Sequence, residues 1–500
     1  MSESTVVELR HGAYHDSVTL LQVSRTLAAV DGVHAAQVAM GTELNLDVLR
    51  TMGFDVPSSA GANDMVLALR AADDDAVARA RQALDVALTP TNAGGGRGLR
   101  AQAPARTVGA AARRMPDANL ALVSVPGQHA FTEAMDALEA GLSVLLFSDN
   151  VSIEAEVRLK DESARRGLLV MGPDCGTASV AGVGLGFANV VPTGPVGLVA
   201  ASGTGAQQLM CLLAGAGVGV SHCLGVGGRD LSVAVGARST RQALAMLDED
   251  ESTELIVVVS KPAPTEVSAD LEKFVQELRT PVQFAVLGRG QPDLTAAAAR
   301  AAGAIGATFD APRSWIAAAG DGGFESLHGL FAGGTLCDEA MVIASELLGP
   351  VRSNIPLEPS LALGQDLTSD GHLMIDFGDD ALTRGRAHPM IDQRTRLDRI
   401  AAEASQLATN PSRGGVVLLL DVVLGHGAHA DPAAELAPAL ADAVAVSGGR
   451  LAVVVALCGS ADDPQGLDGQ AAALVAAGAS VFLSNAAAAR AAVGLVVGSP

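Results

Sequence analysis

The chain has 500 residues, a formal net charge of −22 and a hydrophobic content of 49%, so it can hold roughly three or four domains. Its negative charge disfavours nucleic acid and anionic membranes as partners, and no apolar run reaches the roughly 18 residues that a membrane span requires. Because the amino terminus lacks a signal-peptide pattern and the five cysteines form no C-x-x-C pair, we expect a cytoplasmic protein without a disulfide framework or a metal site.

The amino-terminal residues alternate between strand-like and helix-like patterns. Apolar runs typical of strands cover Val6–Leu9, Val33–Met40 and Asp64–Arg70, and helical patterns cover Ser17–Val30 and Asp74–Leu88. A short helix between the second and third strands completes the order β-α-β-α-β-α. This order predicts a small ferredoxin-like domain with helices layered on one sheet.

Strands and helices also alternate through the middle of the chain, beyond a glycine- and arginine-rich linker. The predicted strands cover 119–125, 143–147, 168–171, 196–200, 221–226, 254–260 and 282–287. This alternation predicts parallel sheets with right-handed crossovers, whose ligands bind beyond the carboxyl ends of the strands. Asp174, Gly227, Gly228 and Lys261 follow such ends. We expect Asp174 and Lys261 to contact substrate, and the two glycines to contact an anion.

The strand–turn–helix unit around Ser202 is the most informative stretch. The apolar run over 196–200 is followed by Ser202-Gly203-Thr204-Gly205 and then by a strong helix former. Free N–H groups at the start of a helix carry partial positive charge, and glycine leaves them open to a ligand. Ser202, Gly203 and Thr204 therefore form a candidate site for phosphate or carboxylate. The alternative is an ordinary turn in which a hydroxyl caps the helix.

A second glycine turn, Gly333-Gly334-Thr335, opens another helix, and Cys337 lies near its start. The partial charge at a helix start lowers the pKa of a thiol, which makes a nucleophile conceivable. We favour a packed, inert cysteine, because the sequence offers no visible base partner.

The densest polar run lies between Gly378 and Asp392. It holds Thr383-Arg384-Gly385-Arg386 and His388 just before a predicted helix. Two arginines and a histidine in such a place can clamp an oxyanion in bidentate fashion. We assign catalysis to Arg384, Arg386 and His388, and anion contacts to Thr383 and Gly385; a solvated loop is the alternative.

Two histidines follow a buried strand predicted over 415–423. His426 and His429 are spaced as metal ligands can be, but the sequence shows no third ligand. We therefore expect polar contacts from this loop and assign His426 to the substrate.

Several of these motifs resemble a known family. Gly172-Pro-Asp-Cys175, the 197–204 stretch and Gly225-Val-Gly-Gly228 resemble the α subunit of succinyl-CoA synthetase, and the last domain resembles the ligase domain of its β subunit. The order of the domains along essentially the whole chain, together with the specific 378–392 run, is similar to that of FdrA proteins, which are acyl-CoA synthetase-like.

The resemblance implies a multi-domain α/β fold with parallel Rossmann-like and flavodoxin-like sheets of the succinyl-CoA synthetase type, preceded by a small ferredoxin-like α+β domain. The expected boundaries are 1–88 for the small domain, 89–115 for the linker, 116–192 for a truncated CoA-binding-like Rossmann domain, 193–330 for a first ligase-type domain, 331–372 for a connector and 373–500 for a second ligase-type domain.

The resemblance also implies a phosphate site. In the synthetases, two helices aim their N-termini at a phosphohistidine, and the stretches 202–204 and 383–385 would begin the corresponding helices here. The stretch over 286–307, which corresponds to the phosphohistidine loop, contains no histidine. An ATP-grasp domain and the first strand–glycine–helix unit of the CoA-binding domain are not recognisable either.

FdrA-type proteins are associated with oxamate carbamoyltransferase, a multi-subunit enzyme of allantoin catabolism that converts oxalurate and phosphate to oxamate and carbamoyl phosphate. The resemblance therefore implies a carbamoyltransferase subunit that acts on phosphate or carbamoyl phosphate within a homo- or hetero-oligomer. One alternative is an ADP-forming acyl-CoA synthetase that uses CoA and ATP, with its nucleotide domain supplied by a partner chain. Another is a non-catalytic scaffold or metabolite sensor.

Overall fold

The computed structural model describes residues 4–13, 15, 17–57, 59–88, 105–317, 323–384, 386–410 and 412–498. The chain divides into two compact units, Met1–Pro104 with Arg384–Ala387, and Ala105–Thr383 with His388–Pro500. None of the described helices combines the length and the apolar character that a membrane crossing demands.

The first unit is an antiparallel sheet in the strand order β1-β3-β2 with helices packed on it. Its elements are β1 Ser4–Arg10, α1 Ser17–Ala28, β2 Val33–Met40, α2 Glu43–Thr51, β3 Met65–Ala71 and α3 Asp74–Leu88. The side chains of β3 alternate: Leu67 and Leu69 pack with α1 and α3, whereas Val66 and Ala68 pack with α2. The central strand is therefore buried on both faces, and the ferredoxin-like prediction is confirmed.

The second unit begins with a small parallel sheet in the order β4-β5-β6. Its elements are α4 Val108–Ala112, β4 Leu120–Val123, α5 Gly127–Glu139, β5 Ser143–Leu146, α6 Ile153–Arg166 and β6 Val170–Met171. Local sequence sets the bounds of α6, because Ser152 accepts a hydrogen bond from the backbone of Ala155, and Gly167 ends the helix with a φ of 68°.

A larger sheet follows in the order β12-β11-β9-β10-β7-β8. Its elements are β7 Thr177–Val180, β8 Val183–Gly186, β9 Val196–Ala200, α7 Gly203–Gly215, β10 Val220–Gly225, α8 Arg238–Glu249, β11 Leu255–Ser260, α9 Thr265–Val275, β12 Val282–Val286 and α10 Leu294–Ala304. The four later strands are parallel as predicted, and the β7–β8 hairpin joins them antiparallel at the edge. The sequence does not predict this hairpin, because its strands are short and one contains two glycines.

The last sheet has the order β13-β19-β18-β17-β14-β16-β15. Its elements are β13 Ser314–Trp315, β14 Phe324–Phe331, α11 Gly334–Leu348, β15 Arg352–Ser353, β16 Leu373–Asp376, α12 Asp380–Thr383, α13 Arg394–Thr409, β17 Gly415–Val423, α14 Pro432–Val446, β18 Leu451–Cys458, α15 Leu467–Ala476, β19 Ala479–Phe482 and α16 Asn485–Val497. Its parallel strand β14 lies between β16 and β17. The sheet thus starts before residue 373, where the sequence predicts its first strand. The sequence pattern misses β14 because Glu325, Ser326 and His328 interrupt its apolar run.

One hydrophobic core joins the two larger sheets of the second unit. Helices α7, α10, α11 and α16 contribute to it together with strands of both sheets. Leu209 of α7 and Leu336 of α11 are fully buried there, and burial of such a side chain contributes roughly 2 kcal/mol. This packing fixes α7 and α11, which belong to different sheets, against each other.

Candidate functional site

Two helices of the second unit begin side by side. Helix α7 follows β9 of one sheet, and helix α11 follows β14 of the other. Ser202 Oγ and Thr335 Oγ1 lie 2.7 Å apart at the two helix starts. A β-carbon at Gly333 would lie 2.7 Å from Thr204 Cγ2, so this close approach requires glycine.

The start of α7 is capped by its own serine. Ser202 Oγ accepts a hydrogen bond of 3.1 Å from the backbone N–H of Gly205. The N–H groups of Gly203 and Thr204 have no acceptor among the described residues. The hydroxyl of Ser202 therefore caps its own helix, and the two amides carry the partial positive charge of a helix start.

The start of α11 is held by a buried carboxylate. Asp421 on β17 accepts hydrogen bonds from the backbones of Ala332, at 2.7 Å, and Gly333, at 2.8 Å. The guanidinium of Arg396 donates to the same carboxylate at 2.8 Å, and both side chains are almost fully buried. Beyond this fixed turn, the backbone amides of Gly334 and Thr335 at the start of α11 have no acceptor among the described residues.

A lysine and two carboxylates lie beside these helix starts. Lys261, which follows β11, contacts Asp338 of α11 at 2.6 Å. A β-carbon at Gly334 would lie 2.6 Å from Asp376 Oδ2 and 3.8 Å from Lys261 Nζ. Although burial opposes the charge, Asp338 and Asp376 raise the pKa of Lys261. Lys261 therefore adds a permanent positive charge to the amides.

Asp376 is the buried acid of this cluster, with only 6% of its surface exposed. Burial raises its pKa to about 7, and Asp421 and Asp379 act in the same direction against the opposing effects of the Gly378 N–H and Lys261. Both protonation states are therefore populated near neutral pH.

His388 presents one ring nitrogen to the same place. Its Nδ1 accepts a hydrogen bond from the backbone of Met390 at 3.2 Å, so the proton of the neutral ring is assigned to Nε2. A β-carbon at Gly378 would lie 2.7 Å from His388 Nε2 and 3.1 Å from Asp376 Oδ1. Burial and Arg396 lower the pKa of His388 to about 4. The ring is thus neutral at pH 7 and carries its proton on Nε2.

The predicted second phosphate helix needs correction. Thr383 is the last residue of the four-residue α12, and its hydroxyl donates to the carbonyl oxygen of Asp379. It does not begin a helix, and the helix start that lies beside that of α7 is the start of α11. Arg384 and Arg386 are exposed and belong to the first unit, and Gly385 lies outside the described residues.

The turn that holds Asp174 and Gly227 packs backbone against backbone. A β-carbon at Gly227, whose φ is 88°, would lie 2.4 Å from the carbonyl oxygen of Pro173. Asp174 adopts a φ of 56° and donates its backbone N–H to Ser148. Gly228 is exposed. Close backbone packing explains why glycine is required at position 227. The ligand contacts predicted for Asp174, Gly227 and Gly228 stay predictions.

His426 joins the two larger sheets through its backbone, which exchanges hydrogen bonds of 2.8 and 3.2 Å with Ala188. Its side chain is exposed. His429 lies 3.1 Å from Glu435 and accepts a hydrogen bond from the backbone of Asp431. Among the described residues, no three histidines, cysteines or carboxylates are grouped to hold a metal ion.

Cys337 is fully buried, and burial raises its pKa well above the usual value. The thiol therefore stays protonated, as expected for a packed cysteine. Sequence reasoning missed Asp376, Asp338 and Asp421 as parts of the site. Two signals were available: the acid that ends the apolar run Leu373-Met-Ile-Asp376, and Asp421, a single acid within the apolar run over 415–423.

Comparison with known proteins identifies a domain at each end of the chain. The family described as AllF, heavy metal-associated domain, matches residues 1–104, and the CoA-ligase family matches residues 330–495.

Three known proteins are similar to longer parts of the chain. The Escherichia coli K12 protein YahF, described as uncharacterized, is 36% identical over 95% of both chains. Subunit alpha 2 of an ADP-forming succinate–CoA ligase from Archaeoglobus fulgidus is 27% identical over 36% of this chain and 62% of its own length. A solved dinucleotide-forming acetyl-coenzyme A synthetase 1 from Ca. Korarchaeum cryptofilum, in complex with phosphate and ADP, covers 76% of this chain and 84% of its own, with 16% identity and a TM-score of 0.29.

The match to YahF spans nearly the whole chain, the CoA-ligase family matches residues 330–495, and the succinate–CoA ligase subunit matches 36% of the chain. The chain therefore belongs to the same acyl-CoA synthetase-like family as YahF, with an AllF-type heavy metal-associated domain at its amino end and a CoA-ligase domain at its carboxyl end.

Proposed function

We propose that this chain catalyses acyl transfer between phosphate and a second acceptor, as a subunit of an acyl-CoA synthetase-like enzyme. The observation that carries the proposal is the pairing of the α7 and α11 helix starts beside Lys261. The CoA-ligase match and the succinate–CoA ligase relative support the same class of reaction.

The paired helix starts suit the phosphoryl end of an acyl phosphate. Four backbone amides, two from each helix, lack an acceptor among the described residues. Each helix dipole contributes roughly 0.3–1 kcal/mol to an anion at its N-terminus, and fixed donors stabilise charge that develops on a leaving phosphate. Lys261 supplies the compensating cation, and the Nε2–H of His388 can donate to the acyl oxygen.

The ADP-forming acyl-CoA synthetase reaction is the candidate that the family relationships favour. In this proposal, CoA accepts the acyl group and ATP is formed or consumed on a partner chain. The two matched families cover 1–104 and 330–495, and neither is a nucleotide-binding family by its description. A hetero-oligomer is therefore part of the proposal.

Carbamoyl transfer is the second candidate, and one sequence feature favours it. The stretch over 286–307 holds no histidine, so the phosphoryl group has no histidine carrier there. An enzyme that uses carbamoyl phosphate, itself an acyl phosphate, needs neither a phosphohistidine nor ATP. In this version oxamate accepts the carbamoyl group.

The test is an activity assay on the full-length chain, alone and purified with the products of its neighbouring genes. One arm supplies carbamoyl phosphate and oxamate, the second acetyl phosphate and CoA, and the third ATP, CoA and succinate. Product in the second or third arm supports the synthetase, and product only in the first supports carbamoyl transfer. Inorganic phosphate binding without turnover in any arm would instead make the chain a sensor or scaffold.

Two variants connect the assay to individual residues. Lys261→Met should lower the rate about 100-fold, because fixed charge at a developing oxyanion contributes on the order of 3 kcal/mol. Lys273→Met is the matched control, since Lys273 is exposed on α9 and its ammonium pairs with Asp270 on the same helix.

A further inference from the structure

We propose that Asp376 is the general base that removes the proton from the attacking nucleophile in this acyl transfer. The inference rests on the proposed function and names a catalytic residue for it. It starts from the position of the carboxylate, which lies between the start of α11 and the ring of His388.

The backbone on either side of Asp376 is fixed. Asn354 accepts a hydrogen bond from the N–H of Asp376 and donates one to its carbonyl oxygen, both at 2.9 Å. The Oδ1 atom accepts from the backbone of Gly378, also at 2.9 Å. These bonds determine the direction of the side chain without using its second oxygen.

The second oxygen of Asp376 is available for chemistry. Oδ2 has no hydrogen-bond donor among the described residues, and a β-carbon at Gly334 would lie only 2.6 Å from it. Gly334 supplies one of the amides that we assign to the phosphoryl group. A nucleophile that approaches the adjacent acyl carbon therefore comes within reach of Oδ2.

Charged and titratable groups face Asp376 from each neighbouring element. Lys261 follows β11, Asp338 and Cys337 belong to α11, Asp421 belongs to β17, and Asp379 and His388 flank the carboxylate from its own side. Burial and the nearby carboxylates place the pKa of Asp376 at about 7. A carboxylate whose pKa lies near the working pH is partly ionised and is still basic enough to accept a proton.

The other candidates at the site are less suited to this role. Asp338 is paired with Lys261 at 2.6 Å. Cys337 is a buried thiol whose pKa burial raises well above the usual value. His388 accepts the backbone N–H of Met390 at the lone pair of Nδ1, and its pKa of about 4 makes the neutral ring a weak base. Among the described carboxylates of this cluster, Asp376 combines an oxygen without a hydrogen-bond donor with a position directly beside Gly334.

The step balances without a further reactant. The thiol of CoA, or an amide nitrogen, attacks the carbonyl carbon of the acyl phosphate as its proton passes to Asp376 Oδ2. The new S–C or N–C bond forms, the C–O bond to phosphate breaks, and phosphate leaves with the electron pair. The Nε2–H of His388 donates to the carbonyl oxygen while charge develops on it. Asp376 then returns its proton to solvent or to the departing phosphate.

The test compares Asp376→Asn with the wild-type chain in the same full-length preparation. Asparagine keeps the acceptor for Gly378 and the backbone bonds to Asn354, so the fold should persist. We expect kcat to fall about 100-fold or more, as is typical for loss of a general base. We expect the dissociation constant for inorganic phosphate to stay the same or decrease, because a negative charge has left the site.

The pH dependence separates a base from a merely structural acid. Wild-type kcat should rise with pH as Asp376 ionises near pH 7 and then level off, whereas the residual rate of Asp376→Asn should lack this rise. Asp442→Asn is the matched control, because Asp442 is exposed on α14. It should retain both the rate and the pH profile of the wild type.

The outcomes distinguish the two proposals. If the wild-type chain neither binds phosphate nor turns over any acyl phosphate, the proposed function is refuted. The role of Asp376 as a base is then refuted as well. An active wild type together with an equally active Asp376→Asn, or one that keeps the rise in kcat near pH 7, overturns the base role alone. An inactive Asp376→Asn that also loses phosphate binding would show that the residue only maintains the site.

Discussion

The side chains of Ser202 and Thr335 share a hydrogen bond of 2.7 Å across 133 positions of the sequence. Each residue lies at the start of a helix that follows an interior strand of a different sheet. Ser202 also caps its own helix through Gly205. The bond therefore fixes the relative position of two sets of free backbone amides, and small changes here should alter anion binding.

Replacement of Thr335 by valine tests this connection. Valine preserves shape but removes the hydroxyl, so Ser202 keeps its cap and loses its partner. We expect a loss of about 1 kcal/mol in stability, the usual contribution of one hydrogen bond, and several-fold weaker binding of inorganic phosphate. Calorimetric titration measures the affinity. Thr409→Val, at an exposed helix end, should bind phosphate normally, and equal affinity in both variants would contradict the expectation.

Substitution of Gly333 should separate the two helices. A β-carbon there would lie 2.7 Å from Thr204 Cγ2 and 2.9 Å from its Oγ1, so Gly333→Ala must move α7 or α11. We expect phosphate affinity and turnover to fall at least tenfold, with a stability cost of roughly 1–3 kcal/mol from overpacking. Gly215→Ala, at the end of α7, is the control, because a β-carbon there would meet no neighbouring atom within 4 Å. If Gly333→Ala bound phosphate with wild-type affinity, the distance between the starts of α7 and α11 would not matter for phosphate binding.

The buried pair of Asp421 and Arg396 should show strong coupling. Asp421→Asn or Arg396→Met alone leaves a buried charge without its partner, which typically costs about 3–5 kcal/mol. The double variant removes both charges and should be less destabilised than the sum of the single variants. Urea unfolding followed by the fluorescence of Trp315, the single tryptophan, reports on this sheet. Strictly additive losses would mean that the two residues act independently.

Glu403 should make the last sheet sensitive to acid. Its side chain is 1% exposed and lies 2.8 Å from Arg399 and 3.0 Å from both Arg413 and His328. Burial opposes ionisation, but these neighbours outweigh it and lower the pKa of Glu403 from 4.5 to about 2. The lowered folded-state pKa gives stability that is present above pH 4.5 and is lost as the pH falls toward 2. The shift corresponds to on the order of 3 kcal/mol.

The comparison of Glu403→Gln with the wild type tests this linkage. The variant should be less stable at pH 7 and should lose less stability than the wild type between pH 5 and pH 2. Urea titrations at several pH values, again followed by Trp315, provide the measurement. Glu346→Gln, at an exposed position on α11, should follow the wild-type curve. Parallel pH curves for Glu403→Gln and the wild type would rule out the linkage.

Local pattern alone was sufficient for much of the fold. The apolar run over 196–200 coincides with β9, and the Ser202 turn opens α7 as predicted. The order of the amino-terminal elements was also predicted correctly. These features depend on side-chain periodicity, capping and glycine turns, which act over only a few residues.

The second helix start shows where local pattern fails. The run around Thr383 is rich in arginine and looks like an anion site, yet Thr383 ends a short helix. The turn at Gly333 has no comparable cluster of charged residues in its sequence. Its place beside α7 depends on Asp421 of β17, which binds its backbone, and on Thr204 of α7, which packs against it. Neither neighbour is close to it in sequence.

The sequence by itself therefore determined the individual strand–turn–helix units and the candidate residues Ser202, Lys261 and His388. Only the tertiary structure decided that α11 is the partner of α7 and that Asp376 lies beside the start of α11. The physical reason is that the two large sheets bury their apolar faces on a shared layer of helices. That packing brings together polar groups whose separation in the chain leaves no periodic signal.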